Sequence, residues 1–514
     1  MKHRKRRVAL VNALVRNEKT VEIPVECMGL AYLCAVLREK DYEVDIYDPY
    51  ITGETIGELA SKLLSGNYFL IGFSLMSMDY FENMKKILMW LDESDKKLLD
   101  DTAVVTGGYY ATVRQEKILE ACGLVDYVIY GEGEQSILLL AETLSNGSKD
   151  LDSIPNLIFR KDKKIIKTES MRLFEDLDKL PFPARDTLPD IIKKNDSAIV
   201  ISTSRGCYGR CDYCAVHNMY DRFEGSVWRS RSPENVADEI EKLVKEFNVK
   251  NIHFMDDDFI GPGKKGQDRA IAIANEILKR KLKISFYALT RVNNVTIEVF
   301  EKLKEAGLYK VFLGIEFGCQ KFLDFYNKKT TVEQNIEAIN ILKNLGLETV
   351  CGYIMFEPAM SIDEFKQNFD FYVQYVPEFN PGVLTRKLHI YPASKAYESL
   401  KDKIAIEEEQ RFHPVIGSYH RYKFLHSEIY VLYQALRNML ESLLTYKFED
   451  RLSRLDTYER NAALMNIKQA IIPRVEYVIS YLKSNDVYLA AKELPNIMNR
   501  YKYELMELID NKEI

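Results

Sequence analysis

Cys207-Tyr208-Gly209-Arg210-Cys211-Asp212-Tyr213-Cys214 sets three thiols in a C-x3-C-x2-C pattern. A 4Fe-4S cluster ordinarily takes four cysteine thiolates, so three of them leave one iron open to a ligand that is not protein. His217, three positions beyond Cys214, gives the same run a second reading as a tetrahedral Cys3His zinc site. A zinc staple usually fixes a small domain with little core, whereas this run lies inside a long alternation of strand and helix patterns. The other five cysteines, Cys27, Cys34, Cys122, Cys319 and Cys351, are well separated and read as small core residues.

The spacing, with the aromatic Tyr213 just before the last cysteine, resembles the signature loop of the radical S-adenosylmethionine (SAM) enzymes. The resemblance implies that Cys207, Cys211 and Cys214 hold a 4Fe-4S cluster and that Tyr213 lies beside SAM. It also implies that the open iron takes the amino and carboxylate groups of SAM. Electron transfer from the reduced cluster then gives a 5'-deoxyadenosyl radical that can take hydrogen from an unactivated carbon.

A length of 514 residues exceeds what one core serves and predicts roughly two to four domains. The hydrophobic fraction of 46% is ample to build them. A net charge of −6 is small for this length, so no global field draws the chain to nucleic acid or to acidic membranes. The basic cluster Lys2-His3-Arg4-Lys5-Arg6-Arg7 imitates the start of a signal peptide. The apolar run behind it contains Asn12 and stops at Arg16 without a small-residue cleavage site, so it reads as a solvated terminus. No stretch approaches the roughly eighteen apolar residues of a spanning helix. Thiols kept for a metal call for a reducing compartment, hence a cytoplasmic setting with no membrane partner.

Residues 1–150 alternate β-branched runs with amphipathic ones. Strands are predicted at Val8–Val11, Val44–Tyr47, Phe69–Ser74, Val104–Thr106 and Tyr127–Tyr130, with helices at Leu30–Leu37, Ile56–Leu64, Met84–Leu91, Ile118–Cys122 and Ser136–Leu144. This is an α/β pattern of the doubly wound, parallel-sheet kind, whose ligands lie at the carboxyl ends of the strands. Those ends carry Gly72-Phe73-Ser74, Thr106-Gly107-Gly108 and Gly131-Glu132-Gly133-Glu134. With Pro24, Met28–Leu33 and Ala111-Thr112, they resemble the cobalamin-binding domain that precedes the barrel in one large radical SAM class. The resemblance implies cobalamin contacts at Ser74, Gly107, Gly108, Gly131 and Glu132. The Asp-x-His-x-x-Gly loop that supplies a lower cobalt ligand elsewhere is missing, because Asn12 to Thr20 contain no His. Cobalamin is then expected without a protein ligand below the cobalt.

Residues 151–196 read as a hairpin, Leu157–Arg160 with Lys164–Lys167, and a proline-punctuated crossing from Asp176 to Asp186. Residues 197–404 hold six predicted strands: Ala198–Ser202, Asn251–Met255, Ile284–Leu289, Lys310–Ile315, Val350–Met355 and Leu384–Ile390. Helices separate them, as at Pro233–Phe247 behind the cap Ser232. This predicts a partial (βα)6, TIM-like barrel with its chemistry at the carboxyl strand ends. There the resemblance implies SAM contacts: Asp256 to the amino group, Arg291 to the carboxylate, and Glu316 in a segment similar to Gly-Ile-Glu-Ser-Gly. Asp256-Asp257-Asp258 has a plainer reading as solvated acids capping the next helix. Phe356-Glu357-Pro358-Ala359-Met360 and Tyr391-Pro392-Ala393-Ser394 depart from the family's usual motifs, which leaves the reaction subtype open. Residues 405–514 read as a helical domain, with Ile429, Leu432, Tyr433, Leu436, Met439, Leu440, Leu443 and Leu444 on one stripe. The stripe suits packing on the barrel, a substrate lid or a dimer contact.

The expected function is a cobalamin-dependent radical SAM methyltransferase acting on an unactivated carbon of a small natural-product or cofactor precursor. Flavodoxin or ferredoxin is the expected reducing partner, and no nucleic acid is expected. A non-methylating dehydratase or cyclase with a structural first domain is the alternative. A nucleic-acid-modifying enzyme should carry a basic, β-rich appended domain, and a zinc-stapled scaffold without activity is the remaining reading.

Overall fold

The computed structural model describes residues 6–15, 25–193, 199–392, 394–413, 417–444, 448, 451–452 and 455–511. Most of the amino-terminal basic cluster, Arg16 to Pro24, Ala198 and Ala393 lie outside the described residues, as does the side chain of His217. No helix among the described residues is long and apolar enough to cross a membrane.

Five strands form the parallel part of the first sheet: Arg7–Asn12 (β1), Glu43–Tyr47 (β2), Leu70–Ser74 (β3), Ala103–Gly107 (β4) and Tyr127–Ile129 (β5). All of β3 is buried, as expected of a parallel strand covered by helices on both faces. The spatial order runs β2-β1-β3-β4-β5, so the winding reverses between β1 and β3. In such folds ligands bind outside the strand ends at that reversal. Asn12 and Ser74, the last residues of β1 and β3, are partners there. The hairpin Leu157–Lys161 (β6) and Lys164–Lys167 (β7), expected in the linker, continues this sheet antiparallel to β5. It covers an apolar edge and leaves exposed lysines on the new one, which discourages pairing with another chain.

The second sheet is all parallel, in the order β14-β13-β12-β11-β8. Its members are Ile199–Ile201 (β8), Asn251–Phe254 (β11), Ser285–Arg291 (β12), Leu308–Glu316 (β13) and Glu348–Tyr353 (β14). Between β8 and β11 lies a small antiparallel ladder, Ser204–Arg205 (β9) with Arg229–Ser230 (β10). Helices follow the strands, and Pro233–Phe247 starts as expected, with the Ser232 hydroxyl accepting from the Asn235 N–H. The sixth strand expected over Leu384–Ile390 is much shorter. Val383 and Leu384 fall in a tight turn, Pro381–Thr385, where proline lacks an N–H and the Asn380 side chain caps Gly382. Only Arg386–Leu388 pairs with the preceding unit, through Met355 N–H and Phe356 N–H to Arg386 C=O and Leu388 N–H to Phe356 C=O.

The carboxyl-terminal part does not begin as helix. Ile406–His413 (β15) and Gly417–Tyr422 (β16) form an antiparallel hairpin, in a stretch that Pro414 and Gly417 punctuate. Helices Ser427–Met439, Thr457–Ser484 and Val487–Asn511 follow. The apolar stripe packs inward: Ile429, Leu432, Leu436, Met439 and Leu440 are fully buried in the same core as the barrel. Leu444, at its end, is exposed.

Candidate active site at the junction of the two sheets

The cysteine run leaves β9 through Gly206, whose φ is +75° and whose missing Cβ would overlap the carbonyl of Val227. The loop is held on both flanks. Asp212 N–H donates to Tyr326 C=O at 2.9 Å, the Asn327 side-chain amide donates to Arg210 C=O at 2.8 Å, and Ala396 N–H donates to Asp212 C=O at 2.9 Å. Cys207 and Cys211 are buried and Cys214 is half-buried. Burial, reinforced by Asp258, pushes the Cys207 thiol up to about 11. Among the described residues, no three Cys, His, Asp or Glu side chains converge as ligands of one ion. Three thiols on a pinned loop are the donor set that leaves one iron of a 4Fe-4S cluster open.

Asp256 does not present a free carboxylate. It is 1% exposed, and its oxygens accept from Thr203 N–H at 2.8 Å, Thr203 Oγ1 at 3.1 Å, Ser204 Oγ at 2.7 Å and Ser204 N–H. These bonds tie the end of β11 to the segment that feeds the cysteine run. Asp258 is likewise occupied. It accepts from Arg291 N–H, Thr290 Oγ1, Gly261 N–H and the Asn294 side-chain amide, and burial lifts its carboxyl to about 6. The three acids are thus not a solvated cap, since two of them are buried.

Arg291, Glu316 and Tyr213 do come together with the cysteines. Arg291 Nη1 lies 3.2 Å from Cys211 Sγ, and Nη2 donates to Lys328 C=O. Lys328, a residue that sequence reasoning missed, reaches back with Nζ 3.3 Å from Glu316 Oε1 and is almost fully buried. Glu316 sits at a register shift in β13 with φ +69°, so its side chain leaves the ladder at the strand end. Tyr213 stands edge-on to Tyr326 with ring centres 5.9 Å apart. Its hydroxyl is buried without a hydrogen-bond partner among the described residues, and burial, with Glu316 and Cys211 nearby, raises its ionisation well above the usual range.

At the first sheet, Gly108 has φ +92° and a Cβ there would lie 2.8 Å from Leu75 C=O. Gly131 has φ +77°, donates to Thr112 Oγ1 at 2.9 Å, and leaves room that a Cβ would take from the Phe223 ring. Gly107 and Ser74 are register partners at the ends of β4 and β3. Ser77 Oγ and Thr106 Oγ1, at the same end, are buried with no partner among the described residues. Orphaned hydroxyls of this kind suit a ligand bearing amides, as cobalamin does. Glu132 is not part of that edge. It accepts from Arg229 Nη1, Arg205 Nη1 and Phe174 N–H, which places it in an ion pair between the first sheet and the ladder before the cysteine run. Glu134 does the same with Arg205, 2.6 Å away; burial pushes the Glu134 carboxyl up, but the Arg205 charge, the hydrogen bonds and Arg229 together hold it below its ordinary value.

These contacts bring the two sheets' functional ends side by side. The short helix leaving Cys214, Ala215–Tyr220, packs on the short helix leaving Gly108, Tyr109–Arg114. Tyr220 and Phe223 are buried in the core of the first sheet rather than in that of the barrel.

Comparison with known proteins matches this division. The pattern of the radical SAM superfamily matches residues 201–372, and that of the B12 binding domain matches residues 19–141. An uncharacterized methyltransferase of Pyrococcus horikoshii is 30% identical over 348 residues, 67% of this chain and 72% of the relative. A 4'-phospho-dehydrooxetanocin synthase of Priestia megaterium is 26% identical over 426 residues, 78% of this chain and 54% of the relative. The solved structure of the cobalamin-dependent SAM radical enzyme OxsB, with aqua-cobalamin and SAM bound, superposes with a TM-score of 0.78 at 21% identity. That superposition covers 99% of this chain and 75% of that one and shows the shared fold. The chain therefore belongs to the radical SAM superfamily, as an enzyme of the class with an N-terminal B12-binding domain, and the cofactors that go with its two domains are a 4Fe-4S cluster, SAM and cobalamin.

Proposed function

We propose that this enzyme methylates an unactivated carbon of a small molecule, a natural-product or cofactor precursor, with cobalamin as methyl carrier. The observation that carries the reading is the packing of the helix after Cys214 on the helix after Gly108, which sets the cysteine loop beside the ligand edge of the first sheet. When bound, the cluster with SAM supplies a carbon-centred radical and cobalamin supplies the methyl group. Cys207, Cys211 and Cys214 hold the cluster, Tyr213 and Glu316 line the SAM side, and Ser74, Gly107, Gly108 and Gly131 receive cobalamin. The domain division of 1–150, 151–196, 197–404 and 405–514 is kept in outline, with the hairpin of 157–167 assigned to the first domain. A flavodoxin or ferredoxin in the cytoplasm supplies electrons. The similarity to a methyltransferase relative supports methyl transfer, and the similarity to a synthase marks the competing outcome.

The test is anaerobic purification with hydroxocobalamin, iron and sulfide, followed by optical and electron paramagnetic spectra. Stoichiometric cobalamin, without nitrogen hyperfine coupling from a protein ligand, beside a reducible cluster is expected. Protein that cleaves SAM to 5'-deoxyadenosine and yet takes up no cobalamin would replace methyl transfer by a non-methylating radical reaction. Alanine at any one of the three cysteines should abolish 5'-deoxyadenosine formation, and zinc bound in place of iron would overturn the cluster assignment.

A further inference from the structure

Arg291 ends β12 with its guanidinium buried, the residue being 6% exposed. A buried cation needs an anion, because an unpaired charge in a low dielectric is costly. From Arg291 the nearby carboxylate of Asp258 takes the backbone N–H and not the guanidinium, and no described carboxylate forms an ion pair with that group. What the guanidinium meets is the cysteine loop. Nη1 lies 3.2 Å from Cys211 Sγ, and the guanidinium carbon lies over the Tyr208 ring, 5.4 Å from its centre. Gly209 is bare where the guanidinium passes, since a Cβ there would overlap Nη1. Nη2 is spent on Lys328 C=O, and Nε is buried without a hydrogen-bond partner among the described residues. Three residues of the loop, Tyr208, Gly209 and Cys211, are therefore shaped around one guanidinium whose two terminal nitrogens are both engaged.

A carboxylate of SAM would need that planar fork free for a bidentate pair. We propose that Arg291 is instead a positioning residue of the cysteine loop, donating an N–H to the Cys211 sulfur in the cluster-bound enzyme and raising the cluster's reduction potential. This rests on the reading that the loop holds the cluster. Hydrogen bonds to the sulfurs and local positive charge favour the reduced, more negative form, and both are recognised determinants of cluster potential. Arginine suits the task because it stays protonated and stacks flat on an aromatic ring, whereas lysine keeps the charge without the fork.

The experiment reconstitutes the wild-type protein, Arg291→Lys and Arg291→Gln anaerobically with iron and sulfide. It measures iron content, the midpoint potential by titration followed by electron paramagnetic resonance without SAM, and SAM affinity. The midpoint should move to more negative potential in Arg291→Gln and by less in Arg291→Lys, with SAM affinity close to wild type. Loss of iron in Arg291→Gln, with Arg291→Lys retaining a cluster of lowered potential, would equally support a role carried by charge and position. An unmoved midpoint together with SAM affinity weakened about tenfold, the loss expected when a charge-assisted hydrogen bond goes, would make Arg291 a SAM ligand and overturn the proposal. Loss of the cluster from both variants would reduce Arg291 to holding the loop and overturn the effect on potential. A wild-type protein that takes up no iron would overturn the cluster reading itself.

Discussion

Glu132 sets both carboxylate oxygens on one nitrogen of Arg229, at 2.8 and 2.9 Å, and the pair joins the first sheet to the ladder that leads into the cysteine loop. Arg229 and Arg205 face each other across that ladder, an arrangement of like charges that is unfavourable alone. Glu132 and Glu134 neutralise both, so the Gly-Glu-Gly-Glu segment of one domain completes a strand pair of the other. A second buried network connects Glu26 through Arg185 to Glu239 and Arg231.

Removing Glu132 should therefore loosen the cysteine loop from a distance in sequence. Glu132→Ala leaves Arg229 buried and unpaired, a class of change that costs about 3–5 kcal/mol. We expect a lowered thermal midpoint and faster proteolysis within residues 203–230, with Glu132→Gln milder. Equal midpoints for wild type and Glu132→Ala would show that the pair contributes little.

Asp256→Ala should impair cluster loading rather than SAM recognition. The substitution leaves Thr203 N–H and Ser204 N–H without their charged acceptor, and bonds of that kind contribute about 1.5–3 kcal/mol each. Less iron on reconstitution is expected, with SAM affinity per assembled cluster unchanged. Full iron content with weakened SAM binding would return Asp256 to the SAM site.

Gly108→Ala tests the backbone at the ligand edge of the first sheet. Its φ of +92° and extended ψ belong to a region essentially reserved for glycine, where a side chain costs about 1–3 kcal/mol. Gly123→Ala serves as control, because a Cβ there meets nothing within 4 Å and no positive φ is involved. The midpoint should fall for the first variant and stay near wild type for the second.

Asp48 makes stability depend on pH in an unusual direction. Burial lifts its carboxyl from 3.8 to about 6 despite hydrogen bonds from the Asn12 side chain and the Ile51 N–H. Between these values the folded state binds the proton more tightly than the unfolded chain. This group's contribution therefore weakens stability as pH rises from 4 to 6, and the penalty stays in force above that window. Asp48→Asn keeps an acceptor for Ile51 and removes the charge. It should raise the midpoint at pH 7.5, by at most about 3 kcal/mol in stability, with the advantage vanishing near pH 4. A variant less stable than wild type at pH 7.5 would contradict the assignment.

The alternation of apolar runs identified all five parallel strands of the first sheet and five of the second, because covered parallel strands such as β1 and β3 are buried on both faces and leave a dense apolar record. Positions where side-chain hydrogen bonds compete with a ladder left no such record, as at Asn380-Pro381-Gly382, where a capped turn takes Leu384 and Thr385, the first two residues of the expected sixth strand. The hairpin at 406–422 was equally hidden, since its first strand is dominated by charged residues that carry neither period.

By itself the sequence determined the donor set and the backbone demands. Three thiols at fixed spacing and glycines at strand ends are local features, readable because thiolate chemistry and positive φ admit few residue types. Only the tertiary structure decided which polar residues face each other. Asp256, Glu132 and Arg291 look alike in sequence as charged residues at strand ends. Their partners lie 53, 97 and 80 positions away, at Thr203, Arg229 and Cys211. A buried charge takes whichever counter-group the fold brings within about 3 Å, and that distance is set by the packing of the barrel's own segments and, for Glu132, by how the two sheets dock, not by neighbours along the chain.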